Sequence, residues 1–449
     1  MNDRRKVLEL FEKQKVQTED RIQNGIDQHR KGFAHLEIKD KNGQVIPNAK
    51  VRVNQTSHAF RFGANLFMLE EMETKEKNEA YKKYFADLFN MATLPFYWDA
   101  TEPEKGKTRY AKDSEKFYRR PPIDLCIEYC EANGIEPREH ALAYDRFFPK
   151  WLYDASVEEV KQALVKRCQE ISERYRDKIP TIEVTNEMEW SDSKTSFYNE
   201  PDFVEWCFKT AETYFPGNQL VVNETMPLCW EDRCRFNDKY YTYIENTLLK
   251  GARIDAIGMQ FHTFFQAEDE YEKSRPYYDP DKLYRHMDLY ANLGKPLQVT
   301  EITIPAYSNG EEDEQIQAEI LTWLYKIWFS HPNMEQIIYW NLVDGYAHLW
   351  DPDPEAIKAS QGNMTLGENY FYGGLIRFDL TPKPSYYALK KLIQEEWHTE
   401  EAMETDNEGK AMFKGFYGTY DVEVEKDGVV TTHTINFTSK SKEQFEITL

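Results

Sequence analysis

The sequence has 449 residues, of which 41% are hydrophobic and 14% aromatic, so it is long enough for more than one domain around a large core. Its formal net charge of −22 argues against a nucleic-acid partner, because binding to a polyphosphate relies on Lys and Arg side chains. The N-terminal residues contain no apolar signal-peptide segment, and no run of about 18 apolar residues follows. We therefore expect no membrane partner, and a cytoplasmic location as the chain stands or a secreted one if a signal has been removed.

The cysteines do not have metal-ligand spacing. None of them forms a CxxC pair, and no histidine cluster lies beside them at the spacing of a zinc site. Cys126 and Cys130 are four residues apart on a predicted helix, which is typical of two buried thiols. The sequence therefore predicts no metal site at the cysteines. The six are Cys126, Cys130, Cys168, Cys207, Cys229 and Cys234.

The first 57 residues predict a helix and then two strands. Apolar residues recur at near-helical spacing over residues 4–30, which predicts an amphipathic helix in the segment 1–30. Residues 34–40 and 49–55 alternate between apolar and polar side chains, with a KNGQ turn between them. This pattern predicts a β-hairpin or a similar strand pair within residues 31–57.

Residues 58–397 predict a (β/α)8 TIM barrel of the α/β class. Short apolar strands alternate there with longer helical stretches such as 157–176, and an apolar strand of this kind is typical of a parallel sheet that is buried on both faces. The eight predicted strands are residues 60–66, 91–98, 137–144, 181–187, 219–224, 255–262, 297–303 and 337–344.

The C-terminal segment, residues 398–449, contains glycines between alternating runs and predicts antiparallel strands. Neither this segment nor residues 31–57 is large enough to bury a core by itself. We therefore expect the two segments to pair as one small appended β-sandwich beside the barrel. The alternative is two separate β extensions.

Two glutamates stand at predicted strand ends, where TIM barrels carry their active sites. Glu187 ends the fourth strand and Glu301 lies on the seventh, and these two strands face each other across the barrel mouth. A retaining glycoside hydrolase needs two carboxylates about 5–5.5 Å apart, one as nucleophile and one as acid and base. A single glutamate at a strand end is more often an ion-pair partner. The pair, with further polar residues at other strand ends, favours catalysis.

Seven motifs resemble glycoside hydrolase family 10, the endo-β-1,4-xylanase family, in the order in which that family has them. They lie within residues 58–395, about three quarters of the chain. The motifs are WDATEP (98–103), HAL (140–142), VTNE (184–187), IGMQFH (257–262), VTEI (299–302), YWNLVDGYAHLW (339–350) and PKPSYYALKKL (382–392).

The resemblance implies roles for residues of this chain. Glu187 would be the general acid/base and Glu301 the nucleophile of a double displacement. His262 would hydrogen-bond Glu301, although for His262 and His140 a buried structural histidine is the alternative. A β-linked oligosaccharide or polysaccharide is the implied substrate, and no cofactor or metal is implied because the reaction needs two carboxylates and water. The implied substrate-binding residues are Asn186, His140, Gln260, His262, Trp340, Trp350, Tyr97, Tyr144 and Trp98.

The sequence departs from the family pattern beyond the cleavage site. Where the family has Glu-Asn-x-x-Lys-Trp, this chain has Thr93, Leu94 and Tyr97 in place of Glu, Asn and Lys. Tyr144 and Asp145 replace a Trp-His pair. Loss of hydrogen-bonding groups changes discrimination strongly, so we expect a short, decorated or non-xylan β-glycoside. A β-glycosidase of the same clan and a non-catalytic carbohydrate-binding barrel remain alternatives, and the oligomeric state is open.

Two further acidic residues follow the second predicted strand. Asp99 and Glu102 offer another carboxylate pair, but they precede Pro103 directly after the strand. We interpret them as structural groups, in ion pairs or at a helix cap.

Overall fold

The computed structural model describes residues 3–188, 193–231, 238–349, 361–439 and 443–449. The predicted N-terminal helix is present, but it is broken at Gln14 into a 3-10 turn and two α-helices. Val7, Phe11 and Ile22 are buried, and Phe11 stacks on Trp323 of the barrel at 5.6 Å. The N-terminal elements are a 3-10 helix at Asp3–Leu8, α1 at Glu9–Lys13, α2 at Lys15–His29, and strands β1 at Lys31–Lys39 and β2 at Lys50–His58.

A closed barrel of eight parallel strands forms the body of the chain, as the sequence predicts. Each strand pairs with the next, and β10 closes the ring by pairing with β3. Side chains on these strands are almost all buried, because the strands contact the barrel interior on one face and helices on the other. The strands are β3 Arg61–Asn65, β4 Met91–Pro95, β5 Glu136–His140, β6 Thr181–Asn186, β7 Gln219–Glu224, β8 Ala256–His262, β9 Leu297–Thr303 and β10 Met334–Tyr339.

Helices follow each barrel strand, and local sequence signals set their ends. Ser156 and Glu159 form a capping box at the start of the helix predicted over 157–176, and Gly134 ends another helix with a φ of 64°. The helices are α3 Lys75–Leu88, α4 Trp98–Thr101, α5 Ile123–Asn133, α6 Val157–Tyr175, α7 Phe203–Tyr214, α8 Met226–Cys229, α9 Lys239–Leu249, α10 Glu270–Lys273, α11 Pro280–Ala291, α12 Glu311–Ser330 and α13 Pro384–Lys391. Short 3-10 helices occupy Asp145–Phe147, Lys150–Leu152, Ser196–Asn199, Ala267–Asp269, Arg275–Tyr277 and Gly367–Phe371, and a π-helix occupies Leu392–Glu396.

The N- and C-terminal segments form the expected β-sandwich together. One sheet has the order β12-β1-β15 and the other β11-β2-β13-β14. Their facing side chains form a separate apolar core that includes Leu36, Val53, Phe413 and Val422. The C-terminal strands are β11 Glu400–Glu404, β12 Lys410–Phe416, β13 Gly418–Lys426, β14 Val429–Phe437 and β15 Gln444–Thr448.

The predicted N-terminal hairpin is wrong. Strands β1 and β2 lie in different sheets, where β1 pairs with β12 and β15, and β2 pairs with β11 and β13. Each N-terminal strand gains two neighbours from the C-terminal segment in this way, so the sandwich holds the two chain ends together. Among the described residues, no helix combines the length and the apolar character that a bilayer span requires.

Candidate active site

The carboxyl ends of the barrel strands surround a cavity of about 470 Å³. Nine of the residues that the sequence singles out line this cavity. They are Glu187, Glu301, Asn186, His140, Gln260, His262, Trp340, Tyr97 and Tyr144.

Glu187 directly follows β6 and turns its carboxylate into the cavity. Its backbone has a φ of 51°, and its N–H donates to the carbonyl of Asn223 at 3.2 Å. Gln260 Nε2 donates to Glu187 Oε1 at 3.1 Å, and the hydroxyl of Tyr144 donates to Oε2. Both carboxylate oxygens are therefore oriented by neighbouring donors.

Glu301 lies on β9 and is buried at the cavity floor. Asn223 Nδ2 donates to Glu301 Oε1 at 3.2 Å, and His262 Nε2 donates to Oε2 at 3.1 Å. Thr303 Oγ1 lies 3.0 Å from His262 Nδ1, so its hydroxyl can donate to that nitrogen and fix the ring with its Nε2 proton on Glu301.

Electrostatics at Glu301 reflect its burial. Desolvation raises the pKa of Glu301 well above that of an ordinary glutamate; the charge of His140 opposes this, while Glu183 and Glu187 add to it. Desolvation lowers the pKa of His262 to about 4, so its imidazole is neutral near pH 7. A neutral donor on Oε2 orients the carboxylate without forming an ion pair with it.

Three carboxamides connect the two glutamates. Asn186 Oδ1 accepts from Asn223 Nδ2 at 2.9 Å and from Gln260 Nε2 at 3.2 Å. Because Gln260 also bonds Glu187 and Asn223 also bonds Glu301, a continuous hydrogen-bonded path joins the two carboxylates. Movement of one member therefore disturbs both ends.

A charged network supports this layer from the barrel interior. Arg138 and Glu183 form an ion pair in which both side chains have 0% exposure. His140 Nδ1 donates to Glu183 at 2.8 Å, and His140 Nε2 lies 3.0 Å from the Tyr97 hydroxyl. Burial acts against charge on His140, but Glu183 outweighs it and the pKa of His140 is raised. Despite its burial, the pKa of Glu183 is lowered by His140 and Arg138.

An aromatic wall closes one side of the cavity. Trp340, directly after β10, packs edge-on against Phe67 at 5.3 Å, His140 at 5.4 Å and His262 at 6.0 Å. Tyr97 meets Phe67 at 5.7 Å in the same way. Such rings offer an apolar face to the C–H groups of a sugar.

Trp98 does not line the cavity, contrary to the sequence prediction. Helix α4 begins at this residue and places its ring in the core, 5.0 Å from Phe148, with Nε1 donating to Glu102 at 2.8 Å. Glu102 is therefore a structural acceptor, and burial raises the pKa of Asp99 to about 6. Trp350 lies outside the described residues.

Several residues of the site were not expected from the sequence. Glu183 lies on β6 and Asn223 on β7. The Asn186-Glu187 sequence at the end of β6 occurs again as Asn223-Glu224 at the end of β7, and this repeat is a sequence signal that could have identified Asn223. Arg119 and Arg120 also line the cavity, but they come from the loop before α5 and follow no strand. No periodic pattern marks such loop residues.

Within the described part of the chain, His140, Glu183 and Glu301 are the group of potential metal ligands that lie near one another, with their ligand atoms all within 4.8 Å. His140 and Glu183 hydrogen-bond each other, and Glu301 accepts from Asn223 and His262. These atoms thus take part in the proton and charge network of the site.

Comparison with known families agrees with the site geometry. A model described as Glycosyl hydrolase family 10 matches residues 55–390. The chain belongs to this family. Relatives among curated proteins include the anti-sigma-I factor RsgI6 of Acetivibrio thermocellus, 25% identical over 92% of this chain and 47% of that protein. Endo-1,4-beta-xylanase 1 of Arabidopsis thaliana is 24% identical over 93% of this chain and 39% of its own length. The chain thus spans less than half of these relatives.

Solved family 10 structures have the same fold. Native xylanase 10B from Thermotoga maritima matches with a TM-score of 0.58 and 22% identity, covering 75% of this chain and 96% of that one. Xylanase 10B from Thermotoga petrophila, solved with xylobiose, matches with a TM-score of 0.56 and 21% identity over 75% of this chain and 95% of its own. The matches leave about a quarter of this chain uncovered.

Proposed function

We propose that this chain is a retaining β-glycoside hydrolase of the endo-β-1,4-xylanase type, with Glu187 as general acid/base and Glu301 as nucleophile. One observation carries the proposal. The two glutamates line one cavity, and Asn186, Gln260 and Asn223 connect them through hydrogen bonds. The family membership and the xylanase names among the relatives support the same reaction.

The reaction proceeds in two displacements. Glu301 attacks the anomeric carbon while the glycosidic C–O bond breaks, and the proton of Glu187 goes to the departing oxygen. A water molecule then loses a proton to Glu187 and attacks the same carbon, which releases Glu301 as a carboxylate. The donors on Glu301 hold it at a fixed angle, and fixed orientation lowers the barrier without changing the chemistry.

Asn186, next to Glu187 in the sequence, is the residue that would hydrogen-bond the reacting sugar. Its oxygen accepts from Gln260 and Asn223, so its amide nitrogen is the end that can donate to a sugar hydroxyl. A donor there favours a hydroxylated ring and strengthens as charge develops on the sugar.

Specificity beyond the cleaved sugar differs from the family pattern. Thr93 and Leu94 are both fully buried in β4, and Tyr97 uses its hydroxyl on His140. The polar groups that the family motif has at these three positions are therefore missing from the cavity wall. This favours a decorated or non-xylan β-linked substrate over plain linear xylan.

A mechanism-based label tests the proposal. The protein is incubated with activated 2-deoxy-2-fluoro β-glycosides (xylosyl, xylobiosyl and glucosyl), and the intact mass and peptide map are recorded. We expect one adduct on the peptide that contains Glu301, and none in Glu301→Gln. An adduct on another carboxylate would overturn the assignment. No adduct, together with no hydrolysis of any β-glycan, would favour a binding protein.

A further inference from the structure

Arginines are concentrated at one wall of the cavity, although the chain as a whole has a net charge of −22. Arg119, Arg120 and Arg146 all line it. Among the described contacts, no carboxylate hydrogen-bonds to Arg119 or Arg120. We call these two residues, together with the Tyr97 ring that Arg120 covers, the arginine wall.

The guanidinium of Arg120 lies over an aromatic ring. The guanidinium carbon lies 3.7 Å from the centroid of Tyr97, and Nη1 donates to the carbonyl of Arg119 at 3.0 Å. Asp99 acts on Arg120 electrostatically but is not hydrogen-bonded to it. The Tyr97 ring supports the guanidinium from one side, and among the described contacts only its Nη1 makes a hydrogen bond, so its other nitrogen atoms can donate to a ligand.

Arg119 has 3% exposure and is held by Asn341 Oδ1 at 2.7 Å and the carbonyl of Tyr346 at 2.6 Å, both through Nη1. Its Nε is buried without a hydrogen-bond partner in the structure. Glu368 is the lining carboxylate that interacts electrostatically with Arg119, and it accepts from Asn341 at 3.2 Å. Glu368 therefore compensates the charge of Arg119 in part, and among the described contacts no carboxylate is hydrogen-bonded to Arg120.

A guanidinium that is partly desolvated and has no hydrogen-bonded carboxylate has lost part of its hydration, and an anionic ligand restores the lost interaction. A planar guanidinium fork matches a carboxylate, which it can bind through two parallel hydrogen bonds. A neutral sugar hydroxyl offers one acceptor atom and no charge.

We propose that the arginine wall binds a carboxylate on the substrate, so that the preferred ligand is a β-linked oligosaccharide bearing a uronic acid. This inference rests on the proposed glycosidase function and specifies its substrate class. Tyr97 occupies the position at which the family motif has a lysine, and Arg120, from the following loop, places a positive charge beside Tyr97. The positive charge therefore comes from a different residue, and it is carried by a planar guanidinium group in place of an ammonium group.

Matched substrates test the inference. A β-1,4-xylo-oligosaccharide with one glucuronosyl branch is compared with the same molecule after reduction of its carboxyl group to an alcohol. We expect kcat/KM for the acidic form to be about 10- to 100-fold higher. Arg120→Gln should reduce that ratio to near 1, whereas Arg120→Lys should retain part of it. Arg52→Gln, on the exposed face of the β-sandwich, is the matched control.

Two further measurements separate the possible failures. An activated aryl β-xyloside reports on the cleavage site alone, and circular dichroism reports whether each variant is folded. Hydrolysis of the aryl glycoside with equal rates on the acidic and reduced oligosaccharides would overturn the arginine-wall proposal and leave the glycosidase proposal intact. If no glycoside is hydrolysed, the glycosidase proposal fails. Calorimetric binding of the same two oligosaccharides to Glu301→Gln then decides on the carboxylate preference alone.

Discussion

Asn223 donates one amide proton towards Oε1 of Glu301 at 3.2 Å, and the same nitrogen lies 2.9 Å from Oδ1 of Asn186. Its own oxygen accepts from Thr300 at 2.6 Å, which fixes the orientation of the carboxamide. One side chain on β7 thus aligns Glu301, the proposed nucleophile, with Asn186, the residue that precedes the proposed acid/base Glu187. The position of Asn223 depends in turn on space behind it.

Gly258 provides that space, so Gly258→Ala should damage catalysis without touching a catalytic group. A Cβ at this position would lie 2.5 Å from Asn223 Oδ1 and 2.9 Å from the carbonyl of Val222. Displacement of Asn223 by part of an ångström should lower kcat by about 100-fold, with a smaller effect on KM. Gly217→Ala is the control, because nothing lies within 4 Å of its Cβ position. Equal activity of both variants would contradict the role of Asn223.

The decrease of kcat/KM on the acid side of the pH profile should report the protonation of Glu301. Burial raises the pKa of this group, and catalysis needs its ionised form, so kcat/KM falls as the pH decreases through the raised pKa. His262 stabilises the ionised form through its hydrogen bond. His262→Phe should therefore raise the pKa of Glu301 further and move the acid limb upward by roughly one to two pH units.

Two variants control for that experiment. His262→Gln retains an amide donor and should move the limb less. His398→Gln changes a half-buried histidine that does not line the cavity and should leave the limb in place. The measurement is kcat/KM across pH with an activated aryl glycoside. A limb that stays fixed in His262→Phe would mean that His262 only packs against its neighbours.

Stability should depend on the buried ion pair beneath the site. Glu183→Gln leaves the Arg138 cation without its carboxylate at 0% exposure, and removal of one partner of such a pair costs about 3–5 kcal/mol. Urea unfolding monitored by tryptophan fluorescence measures the loss. Glu400→Gln removes one partner of the exposed Arg52–Glu400 pair and should leave the unfolding midpoint unchanged. Equal midpoints for both variants would refute the structural role of Glu183.

The barrel and the placement of Glu187 and Glu301 at its mouth were predictable from the sequence, because both depend on the order of residues within single strands. Apolar runs between amphipathic helices mark barrel strands, and a polar residue that ends such a run faces the same mouth in every unit. Glu187 and Glu301 were found in this way. The predicted strand 137–144 is continuous only as far as His140. Leu142 and Ala143 still hydrogen-bond to Glu183 and Val184 of β6, and the next residue, Tyr144, reaches Glu187 in the site.

Other features depend on partners that are distant in the sequence. Alternation in residues 34–40 and 49–55 identified strands and buried faces, but it could not identify their partners, which lie more than 340 residues away. Trp98 was assigned to the cavity from its motif, whereas the first turn of α4 places its ring in the core. Arg120 was missed because a loop residue shows no periodicity.

The chain contains two Asn-Glu pairs at neighbouring strand ends, and a leaving-group experiment distinguishes them. Glu187 faces the cavity, whereas Glu224 accepts the backbone N–H groups of Met188 and Thr225, both at 2.8 Å. Glu187→Ala should lower kcat/KM by about 10²- to 10⁴-fold for an alkyl glycoside, whose leaving oxygen needs a proton. An aryl glycoside with an acidic phenol should lose much less, and added azide should restore turnover by occupying the vacated position. Glu224→Ala should reduce both substrates by the same factor, because Glu224 acts through the loop that follows Glu187. An equal loss for both substrates in Glu187→Ala would assign the proton donor to another residue.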